Sequence, residues 1–432
     1  MLERKIESEL LNWHNQNKKP ALLIMGARQV GKTTSVREFA SKYYENLVEL
    51  NFESRPSLKK IFEGDLDPVT IYEKLSVAGL GKLIPKKTLV FLDEIQSCPN
   101  ARTAIKFLVE DRRFDIIESG SLLGINYREV SSYPVGFEYK IKMHSLDFEE
   151  FLWANEIPKD VIYKVKTNYL QKTPVDPFFH GKLMNLFKRY LIVGGMPAVV
   201  TKYIETHDID DVMMIQKAII GSYRDDISKY AGKKKGLAKA VFDSIPIQLA
   251  SKNKKFILAE VEEGAKNRKY EDAIMWLYDA GIANFCINIS DFRLPFELNE
   301  RRNIYKFFMC DTGLLSYMSL GNVQKAILDG EIDINEGAVT ENAIADILIK
   351  NGHSLHYYDL KGRLEIDFVL NVSNTVVPVE VKSGAGYNHH PSLSKVINAA
   401  NNDIINAIVL CKENIQIEGR VTYYPLYMAI FL

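Results

Sequence analysis

The sequence has few cysteines, no excess charge of either sign and no long apolar run. Its four cysteines, Cys98, Cys286, Cys310 and Cys411, are scattered without a C-x-x-C pair. This argues against a disulfide framework or a zinc site and predicts a reducing, cytoplasmic location. Lys and Arg number 55, as do Asp and Glu, so any nucleic acid must be bound by local basic patches. No apolar run approaches the roughly 20 residues of a membrane span, and we predict no membrane partner.

The 432 residues are 47% hydrophobic and 25% charged, which is typical of a globular protein with roughly two to four domains. Residues 1–150 alternate short apolar strands with helical patterns, which predicts an α/β domain with a parallel sheet. The predicted strands are 21–25, 46–52, 88–92, 114–117 and 138–143. Residues 151–230 are mostly helical. They are interrupted by Gly194-Gly195-Met196-Pro197, which predicts either a hinge or an ordinary turn between helices.

The strongest motif is a phosphate-binding loop between the first predicted strand and a helix. It fits G-x-x-x-x-G-K-[ST] at every position and comprises Gly26, Ala27, Arg28, Gln29, Val30, Gly31, Lys32 and Thr33, followed by Thr34. The glycines let backbone N–H groups converge, and the helix presents its positive end to phosphate. We expect Lys32 to reach the β- and γ-phosphates of ATP and Thr33 to bind Mg²⁺.

An acidic pair, Asp93-Glu94, ends the strand predicted at 88–92. Because the carboxyl ends of parallel strands share one edge of a sheet, this pair should lie beside the phosphate-binding loop. Asp93 is then suited to holding Mg²⁺ through water, and Glu94 to acting as general base on the attacking water.

A third site element is Ser119, which follows the strand predicted at 114–117. Its hydroxyl has two interpretations. It could hydrogen-bond the γ-phosphate or the attacking water, or it could cap a helix that begins at Leu122-Leu123.

Residues 231–325 carry helical patterns at 237–242 and 270–280, followed by strand-like segments at 282–287 and 304–308. Helices followed by two strands predict a winged helix-turn-helix. Basic residues gather around it: Lys233, Lys234, Lys235, Lys252, Lys254, Lys255, Arg268, Lys269, Arg301 and Arg302. They could contact DNA phosphates, form a solvated face or belong to a protein-binding module.

Residues 330–432 contain a second set of candidate catalytic side chains. Asp367 and Glu380 lie on two alternating strand patterns, and Lys382 points to the same face as Glu380. Two carboxylates that bind Mg²⁺ beside a lysine suit phosphodiester cleavage. Glu341, in a helical stretch at 338–344, is a candidate further ligand. Ordinary surface charges are the alternative interpretation.

Together these motifs resemble the prokaryotic AAA+-type ATPases that carry a C-terminal domain of unknown function. The resemblance rests on residues 26–34, 91–96, 119–121, 146–152, 194–197 and 226–227. It implies an AAA+-like P-loop core over 1–150, a helical lid over 151–230, a winged helix over 231–325 and a tail over 330–432. The tail resembles the PD-(D/E)xK nuclease superfamily, whose fold is the restriction-endonuclease-like α/β fold.

The sequence departs from this family at one place. Many members have a Gly-Arg pair after the serine strand, which could supply an arginine to a neighbouring nucleotide. Here that place has Gly136-Phe137-Glu138. Arg128 is the nearest candidate substitute.

These observations favour a Mg²⁺-dependent ATPase whose nucleotide state controls a DNA-directed C-terminal half with a candidate nuclease site. The alternative is a nucleotide-switched regulatory protein with a non-cutting nuclease fold. A small-molecule kinase is a third reading, which the water-activating pair Asp93-Glu94 disfavours. The candidate partners are ATP, DNA, another protein and further copies of the chain.

Overall fold

The computed structural model describes residues 2–121, 134–230, 235–251, 254–264, 267–328, 337–360, 363–384, 386–399 and 404–432. The chain folds into two compact units. The first comprises Arg4–His144 with Asp279–Gly281, and the second comprises Met1–Glu3, Ser145–Tyr278 and Ile282–Leu432. None of the described helices is both long and apolar enough to span a membrane.

The first unit is a parallel α/β domain, as predicted. Its elements are α1 (Ile6–His14), β1 (Ala21–Gly26), α2 (Lys32–Tyr43), β2 (Asn46–Asn51), α3 (Pro68–Val77), β3 (Thr88–Asp93), α4 (Pro99–Asp111), β4 (Asp115–Ser121) and β5 (Glu138–Lys142). The five predicted strands are confirmed, and they form one sheet in the order β2-β3-β4-β1-β5. All the strand pairs in this sheet are parallel.

This sheet is buried on both faces. Leu22 and Ile24 pack with side chains of α1 and α2, whereas Leu23 packs on the opposite face with side chains of α3 and α4. Burial on both faces explains why the strands are apolar at successive positions instead of alternating. The carboxyl ends of the strands therefore come together at one edge, where polar side chains begin.

The second unit contains the remaining helices and strands. Its helices are α5 (Phe148–Ala154), α6 (Lys159–Gln171), α7 (Pro177–Val193), α8 (Pro197–Thr206), α9 (Ile209–Tyr230), α10 (Lys235–Ala250), α11 (Asn267–Asp279), α12 (Thr312–Leu320), α13 (Gln324–Leu328), α14 (Gly337–Lys350) and α15 (Pro391–Asn398). Its strands are β6 (Ala283–Ile289), β7 (Glu300–Met309), β8 (His356–Asp359), β9 (Glu365–Ile366), β10 (Phe368–Val372), β11 (Thr375–Val381), β12 (Ala407–Cys411), β13 (Gln416–Glu418) and β14 (Val421–Pro425).

Two sheets organise the C-terminal part of this unit. One has the order β10-β11-β12-β14-β13, with parallel pairing of β11, β12 and β14 and antiparallel outer strands. The other has the order β7-β6-β8-β9. The hairpin of β6 and β7 was predicted as a wing, but β6 also pairs with β8. Pairing with β8 satisfies the backbone groups along the outer edge of β6. One sheet therefore contains strands from both the predicted winged helix (231–325) and the predicted tail (330–432).

The glycine pair between α7 and α8 is a closely packed turn. A Cβ on Gly195 would lie 1.9 Å from the Leu146 carbonyl oxygen, and one on Gly194 would lie 2.3 Å from Asp311 Oδ1. Asp311 Oδ2 accepts hydrogen bonds from Gly195 N at 2.8 Å and Ser145 Oγ at 3.0 Å. Only glycine leaves room for this contact, which favours the packed turn among the two sequence interpretations.

Candidate functional site

The phosphate-binding loop runs from the end of β1 to the start of α2. Gly26 is required by its surroundings, because a Cβ there would lie 2.2 Å from the Met143 carbonyl oxygen. Gln29 has φ 65° and Gly31 has φ 98°, so the loop turns through left-handed backbone conformations. The first bond of α2 joins Ser35 N to Gly31 O at 3.0 Å. The preceding N–H groups lie at the positive end of the helix, as anion binding requires.

Lys32 is folded into the loop. Its Nζ donates hydrogen bonds to the carbonyl oxygens of Gly26 at 3.0 Å and Ala27 at 2.9 Å. The residue is only 6% exposed. Burial lowers the pKa of Lys32, while the nearby carboxylates of Glu94 and Asp93 oppose that shift.

Asp93 is the centre of the polar network at the sheet edge. Its Oδ2 accepts hydrogen bonds from Thr33 Oγ1 at 3.1 Å and from Asn51 Nδ2 at 2.8 Å. Its Oδ1 accepts a hydrogen bond from Ser119 Oγ. The structure therefore places Thr33 and Asp93, the two predicted Mg²⁺ ligands, in direct contact.

Glu94 follows Asp93 in a left-handed backbone conformation with φ 54°. Burial raises the pKa of its carboxyl group, and a hydrogen bond from Gln96 Nε2 partly offsets this effect. A raised carboxylate pKa strengthens Glu94 as a base, which suits the predicted role in proton abstraction from water.

The contacts of Ser119 match neither of the two interpretations drawn from the sequence. It is fully buried at the end of β4 and donates to Asp93, so in this structure it orients that carboxylate. Leu122 and Leu123, where the alternative helix would begin, lie outside the described residues.

Asn51 was missed by the sequence analysis. It ends β2 directly beside Asp93, so the rule that places Asp93 at the sheet edge would also have found it. Its Oδ1 accepts the backbone N–H groups of Glu53 and Ser54 at 3.1 and 2.8 Å, which points its amide nitrogen at Asp93. Arg4 was also missed, and its Nη1 donates to the Val30 carbonyl oxygen at 2.9 Å.

Glu138, the last residue of the Gly136-Phe137-Glu138 segment, forms a buried ion pair with Arg102. Glu138 Oε1 and Oε2 each lie 3.0 Å from Arg102 Nη2, and both side chains are almost completely buried. On β4, Glu118 is fully buried, and burial followed by the negative charge of Glu138 raises its pKa to about 8. Arg128, the predicted substitute, lies outside the described residues.

Several residues of the predicted basic patch form ion pairs with carboxylates of the second unit. The pairs are Lys254 with Glu341, Lys255 with Asp359, Lys269 with Glu262 at 2.7 Å and Arg302 with Glu300 at 2.9 Å. Lys233, Lys234 and Lys252 lie outside the described residues. Because these pairs neutralise charge, they weaken the case for phosphate contacts at the paired positions.

The predicted nuclease residues do lie together. The carboxyl group of Asp367 lies close enough to Glu380 for its charge to act on the Glu380 carboxyl group. Asp367 Oδ2 accepts from Val381 N at 2.9 Å, and Lys382 Nζ lies 3.1 Å from Glu380 Oε2. Burial, followed by the charge of Asp367, raises the pKa of Glu380 to about 8.

Two lysines from outside the predicted set join these carboxylates. We call the assembly the carboxylate–lysine cluster, and it consists of Lys254, Lys306, Glu341, Glu365, Asp367, Glu380 and Lys382. Burial opposes the charge of Lys306, but Glu341, Glu365 and Asp367 raise its pKa well above the usual value. The sequence feature that could have indicated Lys306 is its position as a lysine within the aromatic strand segment Ile304-Tyr305-Lys306-Phe307-Phe308.

A divalent cation does not fit this cluster as it stands. Within the described ranges, no group of three or more His, Cys, Asp or Glu side chains is arranged to hold a metal ion. Ammonium groups lie among the carboxylates, whereas Mg²⁺ takes oxygen ligands and repels nearby cations.

Comparison with known families matches residues 18–152 to a family described as an AAA domain. Residues 184–325 and 336–428 match families described as domains of unknown function, DUF8612 and DUF4143. The large subunit of replication factor C from Thermococcus kodakarensis is 30% identical over 158 residues. That match covers 35% of this chain and 30% of the relative, so it spans less than a third of that protein's length.

Similar solved structures include PCH-2 from C. elegans, which is 12% identical with a TM-score of 0.30. This match covers 48% of the present chain and 65% of PCH-2. The Aeropyrum pernix ORC1 protein in complex with DNA is 15% identical, with 81% of this chain and 94% of that chain covered and a TM-score of 0.28. Cdc6p from Pyrobaculum aerophilum is 12% identical, with 76% of this chain and 93% of that chain covered and a TM-score of 0.24.

Residues 18–152, which contain the parallel sheet and the phosphate-binding loop, are thus similar to the family described as an AAA domain. Residues 184–325 and 336–428 fall in families whose descriptions assign no activity.

Proposed function

We propose that this protein is a Mg²⁺-dependent ATPase whose nucleotide state controls its C-terminal half. The observation that carries the proposal is the contact network of Asp93 with Thr33, Asn51 and Ser119 at the edge that holds the phosphate-binding loop. The network supplies oxygen ligands for a hard cation beside a loop built for phosphate.

Different residues of the site bind the nucleotide and transfer the proton. Backbone N–H groups of residues 26–34 and the Lys32 ammonium would hold the β- and γ-phosphates, while Thr33 and Asp93 would hold Mg²⁺. When bound, Mg²⁺ neutralises negative charge on the phosphate oxygens. Glu94 accepts a proton from the attacking water, and Gln96 holds the Glu94 carboxylate in place through their hydrogen bond.

The test is Glu94→Gln, which keeps the shape of the side chain but removes the base. ATP binding should persist, and turnover should fall by about 10²- to 10⁴-fold, the usual contribution of a general base. Glu73→Gln makes the same chemical change at an exposed position on α3 and should leave turnover unchanged. Hydrolysis by Glu94→Gln at the wild-type rate would assign the base elsewhere.

For the second unit we propose a helical lid over 151–230 and a DNA-directed module over 231–325. A nuclease-like tail over 330–432 is either a working nuclease or a non-cutting docking domain. The relative from Thermococcus kodakarensis is the large subunit of replication factor C, which supports a protein partner. The lysines of the carboxylate–lysine cluster favour the non-cutting alternative.

DNA cleavage assays with Mg²⁺ or Mn²⁺ separate these two alternatives. A working nuclease should lose cutting, and keep ATPase activity, in each of Asp367→Ala, Glu380→Ala and Lys382→Ala. If the domain does not cut, the wild-type protein should show no DNA cleavage that Asp367→Ala removes.

A further inference from the structure

Lys306 occupies the centre of the carboxylate–lysine cluster, on β7, and is completely buried. Its Nζ lies 2.9 Å from Glu341 Oε1, 2.9 Å from Glu365 Oε1 and 3.9 Å from Asp367 Oδ1. These carboxylates come from α14, from β9 and from the position between β9 and β10. Oxygen atoms that converge from separate elements on one point are the arrangement a divalent cation uses. Here the cation at that point is an ammonium group.

The other charges of the cluster are also neutralised within the chain. Lys254 binds the second oxygen of Glu341, and Lys382 lies beside Glu380. The ammonium groups of Lys254, Lys306 and Lys382 therefore lie among the carboxylates of the cluster. A divalent ion added to this buried site would be repelled by Lys306 and Lys254, which already hold the oxygens it would need as ligands.

We propose that Lys306, assisted by Lys254, is a built-in cation that takes the place of a divalent metal ion in the carboxylate–lysine cluster. The wild-type cluster then binds neither Mg²⁺ nor Mn²⁺ and holds β7, α14 and the strands of the tail together through ion pairs. Removing Lys306 leaves excess negative charge at a point that carboxylate oxygens already surround, so a divalent ion can enter. This inference does not depend on the proposed ATPase, because the phosphate-binding loop belongs to the other compact unit.

The test is Mn²⁺ binding to the full-length protein without nucleotide, measured by electron paramagnetic resonance. We expect Lys306→Met to bind one Mn²⁺ ion per chain more than the wild type, and the double variant Lys306→Met/Asp367→Asn to lose that ion. Lys306→Arg keeps the positive charge and should behave like the wild type. In thermal unfolding, Mn²⁺ should raise the Tm of Lys306→Met but not that of Lys306→Arg.

Two results would overturn the proposal. One is Mn²⁺ binding by the wild type that Asp367→Asn removes, because the lysines would then not exclude the metal. The other is a folded Lys306→Met protein that binds no additional Mn²⁺. Should Lys306→Met not fold, Lys254→Met serves instead, since the Lys254 side chain is 24% exposed. It should likewise gain Mn²⁺ binding that depends on Asp367, and a folded variant without that gain counts against the proposal.

Discussion

Replacing Glu118 by Gln should change how the stability of the first unit depends on pH. Glu118 lies on β4 with Arg102, Glu138 and Lys140 near it, and its folded-state pKa is about 8 against an ordinary value of 4.5. Between these two values the folded protein holds a proton that the unfolded chain has lost. The stabilisation is therefore complete below pH 4.5 and is lost as pH rises through about 8.

The expected slope is about 1.4 kcal/mol of unfolding free energy per pH unit, or about 4 kcal/mol between pH 5 and pH 8. Glu118→Gln cannot ionise, so its stability should lack this slope and exceed the wild-type value most clearly near pH 8. Urea unfolding from pH 4.5 to 9 measures the total effect, and hydrogen exchange of the β4 amides locates it. Glu73→Gln is the exposed control. Parallel pH profiles for the wild type and Glu118→Gln would refute the reasoning.

Three further predictions concern single positions. Lys32→Ala should abolish measurable ATP binding in a titration while circular dichroism shows an intact fold, because the ammonium partner of the phosphates is lost; unchanged affinity would contradict the site. Gly26→Ala should also abolish ATP binding, since its Cβ would lie 2.2 Å from the Met143 backbone oxygen. Gly120→Ala is the control and should bind ATP, because the atom nearest its Cβ is Gln96 Oε1 at 2.7 Å, the movable end of a side chain. Asp311→Ala should lower the unfolding free energy of the second unit by about 1–3 kcal/mol, because buried donors lose their acceptor; an unchanged denaturation midpoint would argue against this.

The first unit could be predicted from the sequence because its signals are local. Each strand is a short apolar run, and parallel pairing then brings the strand ends to one edge. This reasoning placed Thr33 and Asp93 together, and the structure joins them by a 3.1 Å hydrogen bond. It required no knowledge of side-chain packing.

The carboxylate–lysine cluster could be predicted only in part. The alternation around Asp367 and Glu380 indicated that these residues share a face. Nothing near them in the sequence indicated Lys306, which lies on β7 and reaches the cluster because β6 pairs with β8. Contacts between strands so far apart in the chain depend on which sheet edge remains for pairing, and a single sequence does not specify that.

Lys32 shows how the local geometry of the loop prepares the site for its ligand. Its ammonium donates to two neutral carbonyl oxygens, Gly26 O and Ala27 O, and a hydrogen bond with one charged partner contributes about 1.5–3 kcal/mol. Phosphate oxygens add attraction between opposite charges to the hydrogen bond, so transfer of the ammonium from these carbonyls to phosphate is favourable. Lys306 has no such alternative, because its partners are already carboxylates at 2.9 Å. The same residue type is therefore an exchangeable ligand in one unit and a fixed counterion in the other.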